Sequence, residues 1–198
     1  MKKLLFLSFA ILSTALVATS CSDKDKISYE ELLQQDKERV EALLKQQAPI
    51  LKAYAEKNIP GAKLDTASGI WYKVLAPNTD NSYNFYAANG YIKNFMVTAK
   101  YEGRLVKDGA VFDANDKGDV SFTADGIINA WVRAIIPSEQ KLNGTIYNMG
   151  GLTPLGIKKG GKIRFVAPSP YCYDKYGRGA VIPPDAPLDF TIEVLDIK

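Results

Sequence analysis

Leu188-Asp189-Phe190-Thr191-Ile192-Glu193-Val194 places an apolar side chain at every second position and a polar one between. Successive strand residues point to opposite faces, so this alternation reads as a strand with one face in a core. Further back, Ile163, Phe165 and Ala167 repeat the pattern around Arg164 and Val166. Gly69-Ile70-Trp71-Tyr72-Lys73-Val74-Leu75 is another segment suited to a strand, closed by Pro77. Met96 to Leu105 is a fourth, and Lys107-Asp108-Gly109-Ala110 supplies the turn that leads into Val111-Phe112. Between these strands, Gly126 to Ile136 reads as a short helix entered through Ile127-Ile128. A single helix among several antiparallel strands predicts an α+β domain over residues 66–198, with the helix filling the concave face of the sheet.

Ahead of this domain, over residues 28–65, the period changes. Ser28-Tyr29-Glu30-Glu31 has the spacing of a capping box, in which the Ser hydroxyl serves the third helical N–H and Glu31 reaches back to the cap. Leu33, Val40 and Tyr54 then recur at multiples of seven, joined by Leu32, Leu43, Leu44, Ile50 and Leu51, with charged residues filling much of the rest. Pro49 cannot donate to a helical ladder, which predicts a kink or a restart there. The apolar stripe must be covered either by the chain's own domain or by a second copy in a homodimer.

The beginning of the chain reads as an address. Lys2 and Lys3 precede a mostly apolar run from Leu4 to Val17, the form of a signal peptide over residues 1–20. That run is shorter than the roughly 20 apolar residues a membrane span needs. Ala18-Thr19-Ser20-Cys21 resembles the lipobox of bacterial lipoproteins, with Ala18 where Leu is usual. The resemblance implies lipid attachment at Cys21, a polar tether over residues 21–27, and residence in the bacterial cell envelope. Each buried methylene of such an anchor contributes about 0.8 kcal/mol.

Composition limits the chemistry. The 198 residues include no His and two Cys. Without imidazole there is no Ser-His or Cys-His nucleophile pair and no His-ligated zinc, and two thiols cannot complete a four-thiolate site. Metal and cofactor are therefore not expected. Once Cys21 is lipidated, Cys172 is the other thiol and no intrachain disulfide is available. Removal of Lys2 and Lys3 brings the formal charge from +3 to +1, which offers no concentrated field for nucleic acid.

Four stretches, taken together, carry a family resemblance: Val97 to Leu105; Asp108-Gly109-Ala110-Val111-Phe112-Asp113; Ile127-Ile128-Asn129-Ala130-Trp131; and Tyr173 through Ile182-Pro183-Pro184 to Phe190. In this order and near this spacing they resemble the FKBP-type peptidyl-prolyl isomerases. The resemblance implies a twisted antiparallel sheet wrapped around a short helix. It also implies a bowl that receives a proline ring, lined by Tyr101, Phe112, Phe122, Ile127, Ile128, Trp131, Tyr173, Ile182 and Phe190, with Trp131 as its floor. Asp113 matches the acidic residue of the wall, Tyr173 the hydroxyl donor above it, and Ile128 offers a backbone N–H to a substrate carbonyl.

The physical case for such residues is independent of the name. An X-Pro amide rotates over a barrier of roughly 20 kcal/mol because rotation destroys its resonance. The twisted amide has lost its zwitterionic character, so it is better accommodated in a dry aromatic hollow than the planar form is. That chemistry needs neither imidazole, metal nor thiol. The expected partners are unfolded or partly folded polypeptides containing X-Pro bonds; the alternative is a non-catalytic proline-binding or chaperone module. Two departures bear on this choice. Ala130 and Asp174 stand where the family has Gly, and insertions lie near residues 78–95 and 136–155. The second insertion reads as a loop with some local structure that forms a lid, a platform or an obstruction.

Overall fold

The computed structural model describes residues 27–86, 92–142 and 144–198. The signal peptide, Cys21 and Tyr91 lie outside the described residues. Helix α1 (Tyr29–Asn58) is followed by strands β1 (Lys63–Asp65), β2 (Ile70–Ala76), β3 (Met96–Leu105), β4 (Val111–Asn115) and β5 (Ser121–Thr123). Then come helix α2 (Asn129–Ile135), the hairpin of β6 (Glu139–Leu142) and β7 (Thr145–Asn148), and strands β8 (Lys162–Ala167) and β9 (Leu188–Ile197). The main sheet is antiparallel, in the order β1-β2-β8-β9-β3-β4, with β5 pairing beyond β4 on β3.

Period-two burial makes this sheet. Along β3 the side chains of Val97 and Ala99 are buried, and Tyr101 continues the same face toward the rim. Phe165 on β8 lies opposite Phe190 on β9, and Ile163 opposite Ile192, so the alternating apolar sets meet in register. Onto this face α2 lays Ala130, Trp131, Ala134 and Ile135, all buried. Helix α2 is entered from Ile128, whose extended backbone forms the N-cap, and a single 3-10 turn at Ala124–Gly126 precedes it. Phe85, Tyr86 and Phe95 from the 78–95 insertion are also buried in this core.

The capping box at Ser28 is formed: Ser28 N–H donates to Glu31 Oε2 at 2.8 Å, and Glu31 N–H donates to Ser28 Oγ at 3.2 Å. Beyond it, α1 departs from expectation, because it runs unbroken through Pro49. The reason is tertiary. Leu51, Ala55 and Ile59 pack on Val106 and Val166 across the outer face of the sheet. Burying Leu51 and Ile59 contributes roughly 3–6 kcal/mol together, enough to offset the roughly 3 kcal/mol by which an interior proline weakens a helix. The apolar stripe from residue 47 onward is thus covered by the chain's own domain, while Tyr29, Leu32 and Leu33 in the first turns are exposed.

The local structure expected in the 136–155 insertion is present. The insertion is anchored at its base by buried Ile136 and Leu152 and by a bridge between Pro137 and Thr153, and it projects the β6–β7 hairpin. Its Gly, Asn and Pro content masks two short strands whose exposed faces leave no apolar alternation to read.

Candidate active site

Where β3, β4 and β9 meet the start of α2, the inner face of the sheet opens into a hollow of about 410 Å³. Trp131, 5% exposed, lies at its bottom. Its indole makes edge-to-face contacts with Tyr101 at 5.2 Å, Phe122 at 5.6 Å and Phe190 at 5.7 Å between ring centroids. Phe112 meets Phe190 in the same way at 5.6 Å. Such interlocked rings hold one another's orientation, each pair adding about 0.5–1.5 kcal/mol beyond its buried area.

Glycine makes room for this arrangement. A Cβ on Gly103 of β3 would stand 2.5 Å from Phe112 Cζ and 2.9 Å from Phe190 Cε1. The two rings therefore lie across Gly103. Gly103→Val is expected to push both rings toward the hollow and lower any activity housed there at least about tenfold, while leaving most of the sheet folded; steady-state kinetics beside circular dichroism would check this.

Polar groups ring the rim. Tyr101 O–H donates to Asp113 Oδ2 at 3.2 Å. Burial, together with the neighbouring Asp113 carboxylate, raises the Tyr101 pKa above its ordinary value. Arg178 Nη1 donates to the Tyr173 hydroxyl oxygen at 2.8 Å, and that contact raises the arginine's pKa further above its already high value. With its oxygen accepting from a cation, the Tyr173 hydroxyl is the better donor to a third group. Among the described residues the Ile128 N–H has no acceptor.

Of the residues expected at the site, Tyr101, Phe112, Asp113, Phe122, Ile127, Ile128, Trp131, Tyr173 and Phe190 all line the hollow. Ile182 does not. It is 1% exposed and packs in the core, while its backbone pairs with that of Arg178. It packs in the core beneath the loop that carries Tyr173 and Arg178. Asp125, Gly126 and Arg178 line the hollow without having been singled out in the sequence; for Arg178 the available signal was an arginine between two glycines inside the Tyr173-to-Ile182 stretch. Among the described residues of 136–155 none lines it. Ala130 sits inside α2, where glycine is not required, whereas Asp174 has φ +47°. Cys172 is half-buried and packed against the core, and burial raises its thiol pKa well above the usual range, which disfavours the reactive thiolate. Among the described residues no cluster of three His, Cys, Asp or Glu side chains is placed to hold a metal ion.

A family model described as FKBP-type peptidyl-prolyl cis-trans isomerase matches residues 91–195, more than half of the chain. The chain belongs to that family. A probable FKBP-type isomerase of Haemophilus influenzae is 30% identical over 135 residues, covering 67% of this chain and 44% of that protein. The FKBP-type isomerase FkpA of Escherichia coli is 28% identical over 197 residues, covering 92% of this chain and 62% of that one. The chain thus spans roughly half the length of such relatives. The crystal structure of Escherichia coli FkpA superposes with a TM-score of 0.52 at 29% identity, covering 87% of this chain and 74% of that one. A Pseudomonas syringae isomerase gives the same TM-score and identity over 80% of this chain and 96% of its own. The matched FKBP-type segment begins before β3 and ends within β9, so it contains every aromatic residue of the hollow.

Proposed function

We propose that this protein is a peptidyl-prolyl cis-trans isomerase acting on exported polypeptides, and that the Trp131-floored hollow is where the proline ring is held. The observation that carries this is the convergence of five interlocked aromatic rings, the Asp113 carboxylate bonded to one of them and a cation-polarised tyrosine on a single open cavity. In the proposed mechanism the proline ring rests against Trp131, between Tyr101 and Phe190. The carbonyl before the proline rotates out of the amide plane as the nitrogen becomes pyramidal and less polar. The surrounding rings exclude water from the twisted amide, which favours it over the planar form. The Ile128 N–H and the Tyr173 O–H are placed to hold flanking carbonyls, and Asp113 stabilises the rim through Tyr101. No proton is transferred and no covalent bond forms or breaks.

The hollow is open to solvent and none of the residues that line it belongs to the 136–155 segment, which supports access by a polypeptide chain. We further propose that Cys21 carries lipid and holds the protein in the cell envelope; the positive tip, the apolar run and the small residues before Cys21 support this.

The test is the refolding of a protein limited by a trans-to-cis X-Pro step, with and without the full chain in mild detergent. The expected result is an increase in the slow-phase rate proportional to protein concentration. Because the chain has no His, and because Tyr101 and Arg178 titrate above their ordinary values, the rate is expected to stay level between about pH 6.5 and 9. A slow phase unaffected at micromolar protein would remove the proposal.

A further inference from the structure

Tyr173 and Arg178 reach the hollow from a stretch with little regular structure: one 3-10 turn at Asp174–Tyr176 and one bridge between Arg178 and Ile182. Segments with so few ladder bonds open locally unless something outside them holds them. That hold comes from α1. Arg39 donates from Nη1 to Asp174 Oδ1 at 2.8 Å and from Nη2 to Asp174 Oδ2 at 2.6 Å, a two-pronged pair spanning 135 positions of sequence. The same guanidinium lies 4.0 Å from Asp185 Oδ1. Asp36 orients it through Arg39 Nε at 3.1 Å and takes Lys175 Nζ at 3.1 Å. About two turns further along the same helix, Gln47 Nε2 donates to the Asp185 carbonyl at 2.9 Å.

The two carboxylates of the segment that face Arg39 share a second property. Among the described residues, Asp174 (φ +47°) and Asp185 (φ +57°) are the non-glycine positions with left-handed backbone. A Cβ makes that conformation costly, so it persists where surrounding contacts over-determine it. Asp185 N–H also donates to the Asp174 carbonyl at 2.8 Å, closing the segment on itself. The side chains of Arg39 and Asp174 are 28% and 23% exposed, sheltered enough that solvent screens the pair less than it would a surface one.

We propose that Arg39 is a positioning residue: through Asp174 and Asp185, helix α1 latches the segment that suspends Tyr173 and Arg178 over the hollow. Arg39 itself is not among the residues that line it. The N-terminal helix is then a working part of the site as well as a spacer. This rests on the isomerase reading for its kinetic consequence but not for its structural one, and the test separates the two.

In the full chain, Arg39→Gln, Asp174→Asn and the double variant are compared with wild type on a four-residue peptide containing one Leu-Pro bond, with hydrogen exchange recorded in parallel. Asn accepts left-handed backbone as readily as Asp does, so Asp174→Asn removes the pairing without adding strain. Each single variant is expected to lose about fivefold in kcat/KM, and the double variant no more than either, because both remove one latch. Amides of 173–185 should exchange about fivefold faster while those of β8 and β9 keep their protection. Lys37→Gln, which breaks an exposed pair with Glu41, should change neither readout. Wild-type kinetics in both single variants, losses that multiply in the double, or protection lost equally across β9 would each overturn the latch. If wild type itself does not accelerate the peptide, the isomerase reading fails and the exchange pattern alone decides the latch.

Discussion

Asp189→Ala is expected to lower the unfolding free energy by about 3 kcal/mol and the melting temperature by roughly 6–12 °C. Asp189 is 1% exposed. Its carboxylate accepts from Arg164 Nε at 3.2 Å and Nη2 at 2.7 Å and from the Tyr54 hydroxyl at 2.9 Å. Arg164 in turn donates to the Asn58 carbonyl at the end of α1 at 3.0 Å, so the same carboxylate ties helix and sheet together. Truncation leaves a guanidinium without its counter-charge and a half-buried hydroxyl without an acceptor. The lower end of the usual range for breaking such a pair applies, because the Arg164 side chain is 26% exposed and water can reach it. Asp189→Asn, which preserves an acceptor for Tyr54, should lose less. Burial, with the Asp189 charge second, pushes the Tyr54 pKa up to about 12 from 10.0. This raised value stabilises the fold below about pH 10, and the contribution is lost as pH climbs toward 12. Denaturant melts that shift by less than about 1 kcal/mol, the size of a surface pair, would contradict this account of the outer face.

Trp131→Ala is expected to reduce kcat/KM toward a short X-Pro peptide at least about tenfold. Fully burying an aliphatic group the size of a proline ring is worth about 1.5–3 kcal/mol. Deleting the indole removes the surface that covers one side of that ring, and about 1.4 kcal/mol corresponds to tenfold. The same deletion opens a cavity under three rings and costs about 3–5 kcal/mol of stability, so Trp131→Leu is the companion that keeps an apolar floor. The leucine variant should fold and show an intermediate rate. Wild-type kinetics in a folded Trp131→Ala protein would place the proline somewhere other than this hollow.

Residues that follow one local rule were legible in the sequence. The period-two runs at Met96–Leu105 and Leu188–Val194 are the observed strands β3 and β9, the latter running on to Ile197, and the Ser28–Glu31 box starts α1 where its spacing places it. Tertiary contacts decided the rest. Pro49 is tolerated because the face beyond it is buried. Asp189 belongs to the polar set of its strand and by alternation faces solvent, yet α1 covers that face and makes it the most enclosed acidic side chain described. Nothing local distinguishes it from Glu193. At the site, the aromatic residues of the hollow were legible through the family resemblance, since successive positions lie 9 to 42 residues apart and converge only in the fold. Ile182 shares the apolar character of Ile127 and Ile128 but faces inward, a difference set by the Arg178–Ile182 bridge. Gly103 and Arg39 act through contacts with Phe112 and Asp174 that depend on the complete fold.

The claim at the centre is that the hollow lowers the barrier to rotation about an X-Pro amide. Exchange between the cis and trans signals of a short Leu-Pro peptide at equilibrium, followed by magnetisation transfer with the full chain present in catalytic amounts, addresses it without any coupled reaction. The account predicts exchange faster than the spontaneous rate, rising linearly with protein and reduced in Trp131→Ala. Exchange at the spontaneous rate across the same range of protein would contradict it.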